Sequence, residues 1–250
     1  MPESAFSIAA ITGAFLLSGI VKGVVGMGLP AVAMGLLGLV MPSVQAVALL
    51  VVPALVTNVW QLAAGPTFTG VVKRFATMMV GVCIGTPFGI GLLTGGMASA
   101  ATAALGGVLA VYGAIGLGQV RFSVSPSSER WLSPFMGFLT GVLTGATGVS
   151  VIPVGPYLSA LGLEKEELIQ TLGLSFTVST VALAIGLAAS GQFHASVAGG
   201  SLLAVVPVLS GMFFGQRIRN RLRPEVFRRW FFAGLLMLGA YILFRALGSA

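Results

Sequence analysis

Long apolar runs separated by short polar turns organise this 250-residue chain. Six runs, 44–64, 73–93, 98–118, 167–190, 196–215 and 227–247, hold roughly 20 residues each, enough at ~1.5 Å per residue to cross a hydrocarbon core ~30 Å thick. Each predicts one transmembrane helix. Two further stretches, 5–40 and 132–162, are too long for one crossing and are broken by glycine. The breaks are Gly23-Val-Val-Gly26-Met-Gly28-Leu-Pro30 and Gly141-Val-Leu-Thr-Gly145-Ala-Thr-Gly148, the second followed by Pro153 and Pro156. A single helix over 31 to 36 residues would be roughly 46 to 54 Å long. Each stretch therefore predicts a down-and-back segment: a short helix, an unwound turn and a returning half-helix.

Composition agrees with a bilayer protein. The chain is 56% hydrophobic and 8% charged, with a mean hydropathy of +1.03, too little polar surface to coat a soluble globule. Its 36 glycines have no period of three, which excludes collagen, and suit helices that pack closely or break at a site. The single cysteine, Cys83, allows no intramolecular disulfide and no cysteine metal cluster. Met-Pro-Glu at the start lacks the basic region of a secretory signal, so segment 5–22 is expected to be retained. The formal charge of +7 sits in short loops between apolar runs, which points to topology and not to a nucleic-acid partner.

The two breaks also suggest a repeat. Gly19 and Gly23 match Gly137 and Gly141 at an offset of 118, Val56-Thr57-Asn58 matches Val178-Ser179-Thr180 at 122, and Gly85 and Gly89 match Gly211 and Gly215 at 126. Residues 1–118 form a first membrane repeat, 119–131 a polar cytoplasmic linker and 132–250 a second repeat.

Charge orients the copies. If each broken stretch crossed once, both copies would point the same way and the Lys and Arg residues would divide almost evenly between the two faces. If each goes down and back, the second copy is inverted. Lys22, Lys73, Arg74, Arg121, Arg130, Lys165 and the arginines at 217, 219, 221, 223, 228 and 229 then share one face, and Arg245 stands alone on the other. The positive-inside rule makes the basic face cytoplasmic and both termini extracytoplasmic. Loop 94–97, uncharged, aligns with Asn220-Arg-Leu-Arg223, as expected when homologous loops face opposite sides.

Catalytic chemistry is hard to place in this sequence. The acids are Glu3, Glu129, Glu164, Glu166, Glu167 and Glu225, none of them in mid-membrane; the Glu164–Glu167 cluster fits a helix N-terminus better than a metal or acid/base site. His194 has no neighbouring ligand and fits a solvated turn, with proton sensing as the other option. Gly26-x-Gly28 lacks the strand and full fingerprint of a nucleotide cradle. Paired helix breaks instead suit a transporter, whose half-helix ends offer unsatisfied N–H groups at mid-membrane; close glycine packing is the competing explanation.

The candidate binding residues are Lys22, Gly26, Gly28, Thr57 and Asn58 in the first half, with Thr144, Thr147, Ser150, Ser175 and Ser179 in the second. Neutral hydroxyls and amides can hold an oxyanion without an isolated charge, although Ser and Thr also bond to their own helix. Lys22 either attracts an anion or snorkels to the interface. The arginines 217–229 fit a topology lock on lipid headgroups.

Ser18-Gly-Ile-Val-Lys-Gly-Val-Val-Gly-Met-Gly-Leu-Pro30, its echo Gly137-Phe-Leu-Thr-Gly-Val-Leu-Thr-Gly-Ala-Thr-Gly148 and the duplication over the whole chain resemble the sulfite exporter TauE/SafE family of membrane permeases. Two departures stand out: Gly26-Met-Gly-Leu-Pro30 replaces the family's frequent glycine run, and Val149-Ser150 replaces a further glycine. The resemblance implies transport of sulfite, an organosulfonate or a related small anion, usually outward, across a bacterial inner membrane. The expectation is an all-α integral membrane transporter of two inverted repeats, not an enzyme, without a cofactor or metal, embedded in membrane lipids, its homo-oligomeric state open. Alternatives are an uptake permease for a small organic acid and a non-transporting membrane assembly subunit. No ATP-binding motif is present, so transport is expected to be secondary, by alternating access.

Overall fold

The computed structural model describes residues 2–95, 98–118, 123–193, 195–219 and 224–248, and among these every regular element is helical. The elements are α1 (Pro2–Val25), α2 (Leu29–Leu37), α3 (Ser43–Ala63), α4 (Phe68–Thr94), α5 (Ala98–Gly118), α6 (Pro126–Thr147), α7 (Val154–Ala160), α8 (Lys165–Ala189), α9 (Ala195–Leu203), α10 (Val205–Arg219) and α11 (Pro224–Gly248). His194, Arg121, Arg221 and Arg223, and part of the linker and of the compared loops, lie outside the described residues.

Seven helices among the described residues are long and apolar enough to cross a membrane, with α9 and α10 counted as one span over Val197–Arg219. The seventh is α1. This corrects the expected geometry of the broken stretches: α1 has 24 residues and α6 has 22, whereas the returning pieces α2 and α7 have 9 and 7. The outgoing arm is long because helix-compatible sequence continues up to Val25 and Thr147, and the chain unwinds only where glycines adopt positive φ, at Gly26, Gly28 and Gly148.

Doubling back is explicit in the second stretch. Val124 N–H donates to Ala160 O at 3.0 Å, and the Ser133 and Tyr157 hydroxyls bond at 2.7 Å, so α6 starts where α7 ends. At that same end Arg74 pairs with Glu129 at 2.8 Å and Glu167 at 3.3 Å, tying together the starts of α4, α6 and α8. Glu164 is the N-cap residue of α8, with Glu166 and Glu167 in its first turn, which is the helix-start role expected of that cluster. Arg245 lies elsewhere, lining a cleft with Ser99, Thr102 and residues 38–41.

The most extensive helix pairings are α4 with α6, α5 with α11, α1 with α10 and α3 with α8, each joining an element before the linker to one after it. All four bring a glycine against the facing backbone, and the α1–α10 and α4–α6 seams correspond residue by residue. A methyl group added at Gly19 or Gly23 would strike Val208 O or Met212 O of α10, and one at Gly141 or Gly145 would strike Val82 O or Thr86 O of α4. Moving residues of α1 forward by 122 and those of α10 back by 126 turns the first seam into the second. The offset of 118 read for Gly19 and Gly23 is thus one helical turn short. Glycines recur at 137, 141 and 145, so a four-residue slip matches almost as well in sequence and in the seam, and the positive φ shared by Gly26 and Gly148, 122 residues apart, favours the longer offset.

Inside α3, Pro53 has no N–H to offer Leu49 O. Ser201 of α9 fills the gap: its hydroxyl donates to Leu49 O at 2.7 Å and accepts from Val52 N–H at 3.0 Å. Large apolar side chains such as Phe244, Trp230 and Leu203 point outward, more than 70% exposed, a surface that suits lipid and not water.

Candidate functional site

Lys22 occupies the last turn of α1, one turn before the chain unwinds at Gly26. Its side chain does not snorkel outward; the residue is 5% exposed. Nζ donates to Thr57 Oγ1 at 3.0 Å and to Asn58 Oδ1. Both acceptors are oriented by their other bonds. The Thr57 hydroxyl donates to Pro53 O at 2.9 Å, which leaves its oxygen to accept from Lys22. Asn58 turns its amide nitrogen the other way, to Thr180 Oγ1 of α8 at 3.4 Å, and Thr180 donates to Phe176 O at 2.7 Å. One polar chain thus runs from α1 through α3 to α8.

That chain contains no carboxylate. The sequence has no Asp, and both ion pairs among the described residues belong to Arg74. An ammonium withdrawn from water without a counter-ion is costly, by several kcal/mol or so before hydrogen bonding offsets part of it. Thr57 and Asn58 supply dipoles, not charge.

Lys22 opens onto a cleft of about 490 Å³ that Gly26, Thr57, Gln61, Gln216 and Arg219 also line. Gly26 has φ +85, and a side chain there would meet nothing, so the cleft wall at the break is bare backbone. Gly28, with φ +97, is the N-cap residue of α2 and packs over the Phe231 ring of α11. Gln61 sends Nε2 to Ile169 O at 3.0 Å, and its buried Oε1 has no partner.

The second break has the same turn and different chemistry. Gly148 has φ +74, and its N–H returns to Thr144 O at 2.8 Å. The Thr144 hydroxyl donates to Thr140 O at 2.7 Å and that of Thr147 to Leu143 O at 2.6 Å, while Thr147 also accepts from Val149 N–H at 3.2 Å. These groups are occupied by their own helix. Thr144, Thr147 and Ser150 are buried and do not line the Lys22 cleft. Ser175 and Ser179 are fully buried on α8, with hydroxyls that have no partner. They share a helix stripe with Gly186, which packs on Ile90 of α4, and Thr180 faces Asn58 from a different stripe.

Of the ten candidates, Lys22, Gly26, Thr57 and Asn58 are brought together, Gly28 lies just beyond them, and the five from the second half do not line the cleft. The cleft adds Gln216 and Arg219. These follow Met212, whose carbonyl meets Gly23, at helical spacing along α10. The signal was present in the spacing, but an arginine at the end of an apolar span reads first as a topology residue.

Among known proteins, the sulfite exporter TauE/SafE family matches residues 11–242. Neither a curated protein nor a solved structure matches the chain. Family membership agrees with the seven membrane-crossing helices and the glycine-broken arms, and it removes the alternative of a non-transporting subunit. With nearly the whole chain covered, the protein belongs to the sulfite exporter TauE/SafE family of multi-pass membrane transporters, which are not enzymes.

Proposed function

We propose that this chain exports a small anion, sulfite or an organosulfonate, across a bacterial inner membrane, holding it beside Lys22. The observation that carries this is the buried Lys22 amine with two neutral acceptors, no acidic partner and an open cleft against it. An anion entering the cleft supplies the missing counter-charge, and Arg219 at the same cleft draws anions towards it. Export follows the family description; the site itself is compatible with either direction.

The chain is read as two inverted repeats, with the basic end cytoplasmic. Three observations support this: the closed α6–α7 hairpin, the ion pairs joining the starts of α4, α6 and α8, and glycine seams that exchange under the offsets 122 and 126. Rocking one repeat against the other would open the Lys22 cleft to each side in turn. The exposed Trp60, Trp131 and Trp230 stand near helix ends, where lipid headgroups would meet them.

Flux from proteoliposomes loaded with sulfite, sulfonates or carboxylates tests the function. Selective sulfite or sulfonate flux that disappears in Lys22→Met is expected; equal leakage of every anion overturns it. The inversion has a separate test, in which single cysteines at 95 and 220 are labelled from outside intact cells in a Cys83→Ala background. Position 95 should react and 220 should be protected, and equal labelling would defeat the inverted threading.

A further inference from the structure

A groove of about 430 Å³ runs between α4 and α6 and shares no residue with the Lys22 cleft. Ala76, Thr77, Val80 and Ile84 line it from α4, and Pro134 and Phe138 from α6. Gly81 lets the two backbones touch beneath it, since a methyl there would strike Pro134 O. Val80 and Ile84 are more than half exposed, so the groove opens outward, towards the bilayer. The helices run side by side in the same direction, with Gly81 on Pro134 O and Gly85 on Phe138 O. From Ala76 to Ile84 the groove extends roughly 12 Å along α4, most of the ~15 Å hydrocarbon depth of one leaflet. Phe88 and Phe138, edge to face at 5.8 Å, stand at its inner end.

The outer end is charged. Lys73 lies one turn before Thr77 and two before Val80, and Arg130 one turn before Pro134 and two before Phe138, on the stripes that line the groove. Both are exposed, and among the described residues neither has an acidic partner. Glu129 and Glu167 at this end are already held by Arg74. Exposed Trp131 adjoins Arg130, at the level where lipid headgroups begin.

We propose that this groove binds one anionic phospholipid, its phosphate between Lys73 and Arg130 and an acyl chain laid along the α4–α6 seam. A free phosphate would leave the hydrocarbon wall uncovered. A zwitterionic headgroup would bring its own cation to two others, whereas a net negative one gains from both. Since α4 precedes the linker and α6 follows it, the lipid touches both halves of the chain and favours their contact by binding it.

Trp131 reports on the site once Trp60 and Trp230, both exposed, are replaced by Phe. The full chain is placed in phosphatidylcholine nanodiscs with a small fraction of acyl-brominated phosphatidylglycerol or acyl-brominated phosphatidylcholine, and quenching of Trp131 is read. Phosphatidylglycerol is expected to be preferred about tenfold. Lys73→Gln with Arg130→Gln should bring that preference to within about twofold, while Arg228→Gln with Arg229→Gln leaves it unchanged. Ala76→Phe, which fills the groove and keeps the charges, should weaken quenching by both lipids. Equal quenching by the two lipids overturns the proposal, as does a preference that survives the loss of Lys73 and Arg130. Quenching unchanged by Ala76→Phe, or abolished by soluble glycerol phosphate, would mean a headgroup contact without an acyl groove and overturns it too. Quenching by neither lipid, with elution as a dimer, would give the groove to a second copy of the chain instead. Should the tryptophan variants fail to fold, native mass spectrometry of the unaltered chain decides: phosphatidylglycerol must be retained over phosphatidylcholine, and equal retention overturns the proposal.

Discussion

The two glycine breaks have the same backbone shape and opposite chemistry. Under the 122 offset Gly26 corresponds to Gly148, both with positive φ, and Lys22 corresponds to Thr144. In the first break the side chain one turn upstream reaches across to α3, bonds Thr57 and Asn58 and faces a cleft. In the second, the equivalent hydroxyl folds back onto Thr140 O. The environment of the glycine differs as well: Gly26 borders open space, whereas a methyl at Gly148 would come within 2.8 Å of Val47 and 3.3 Å of Met34. A shared turn therefore does not imply a shared role. One break faces a cleft and the other is packed shut.

That contrast can be broken experimentally, and the largest effect is expected at the lysine. Lys22→Met should lower anion affinity a hundredfold or more, about 3 kcal/mol by calorimetry, while Thr144→Val at the matching position should change it less than about twofold. Comparable losses would mean that both breaks bind. Next come the glycines. Gly148→Ala should cost about 2 to 3 kcal/mol of stability, since it combines backbone strain with a clash, and Gly26→Ala about 1 kcal/mol from strain alone. Denaturant unfolding in detergent measures both, and equal costs would contradict the packed-versus-open distinction. Asn58→Leu should cost about 1 to 2 kcal/mol by removing one acceptor from a buried ammonium. The smallest change belongs to Thr147→Val, within about 1 kcal/mol on stability, because its hydroxyl serves only the neighbouring backbone.

Much of the fold was legible in the sequence because lipid imposes one strong rule, that every backbone group be satisfied within the segment. The apolar runs became helices, and the glycine-rich interruptions became turns. Register was less legible, since the glycine ladder at 137, 141 and 145 matches itself after every turn. For the site, Lys22, Thr57 and Asn58 stood out as polar residues in apolar runs, but their contact spans 35 and 36 residues and no local pattern encodes it. Nor could sequence show that Thr144 and Thr147 turn inward, because a threonine that caps its own helix and one that binds a ligand look alike until the acceptor is known. Arg219 was obscured by a second pressure on the same residue, the bias of basic side chains towards the cytoplasmic ends of spans.

The hydroxyl of Ser201 gives α3 a dependence on another helix. Where Pro53 omits a rung, α9 lends one, and the mended turn lies immediately above the turn that holds Thr57 and Asn58. α3 is therefore a continuous rod only while α9 is seated against it, and withdrawing α9 would leave a loose joint one turn from the acceptors of Lys22. A helix that never touches the ligand thus sets how firmly the lysine's partners are held.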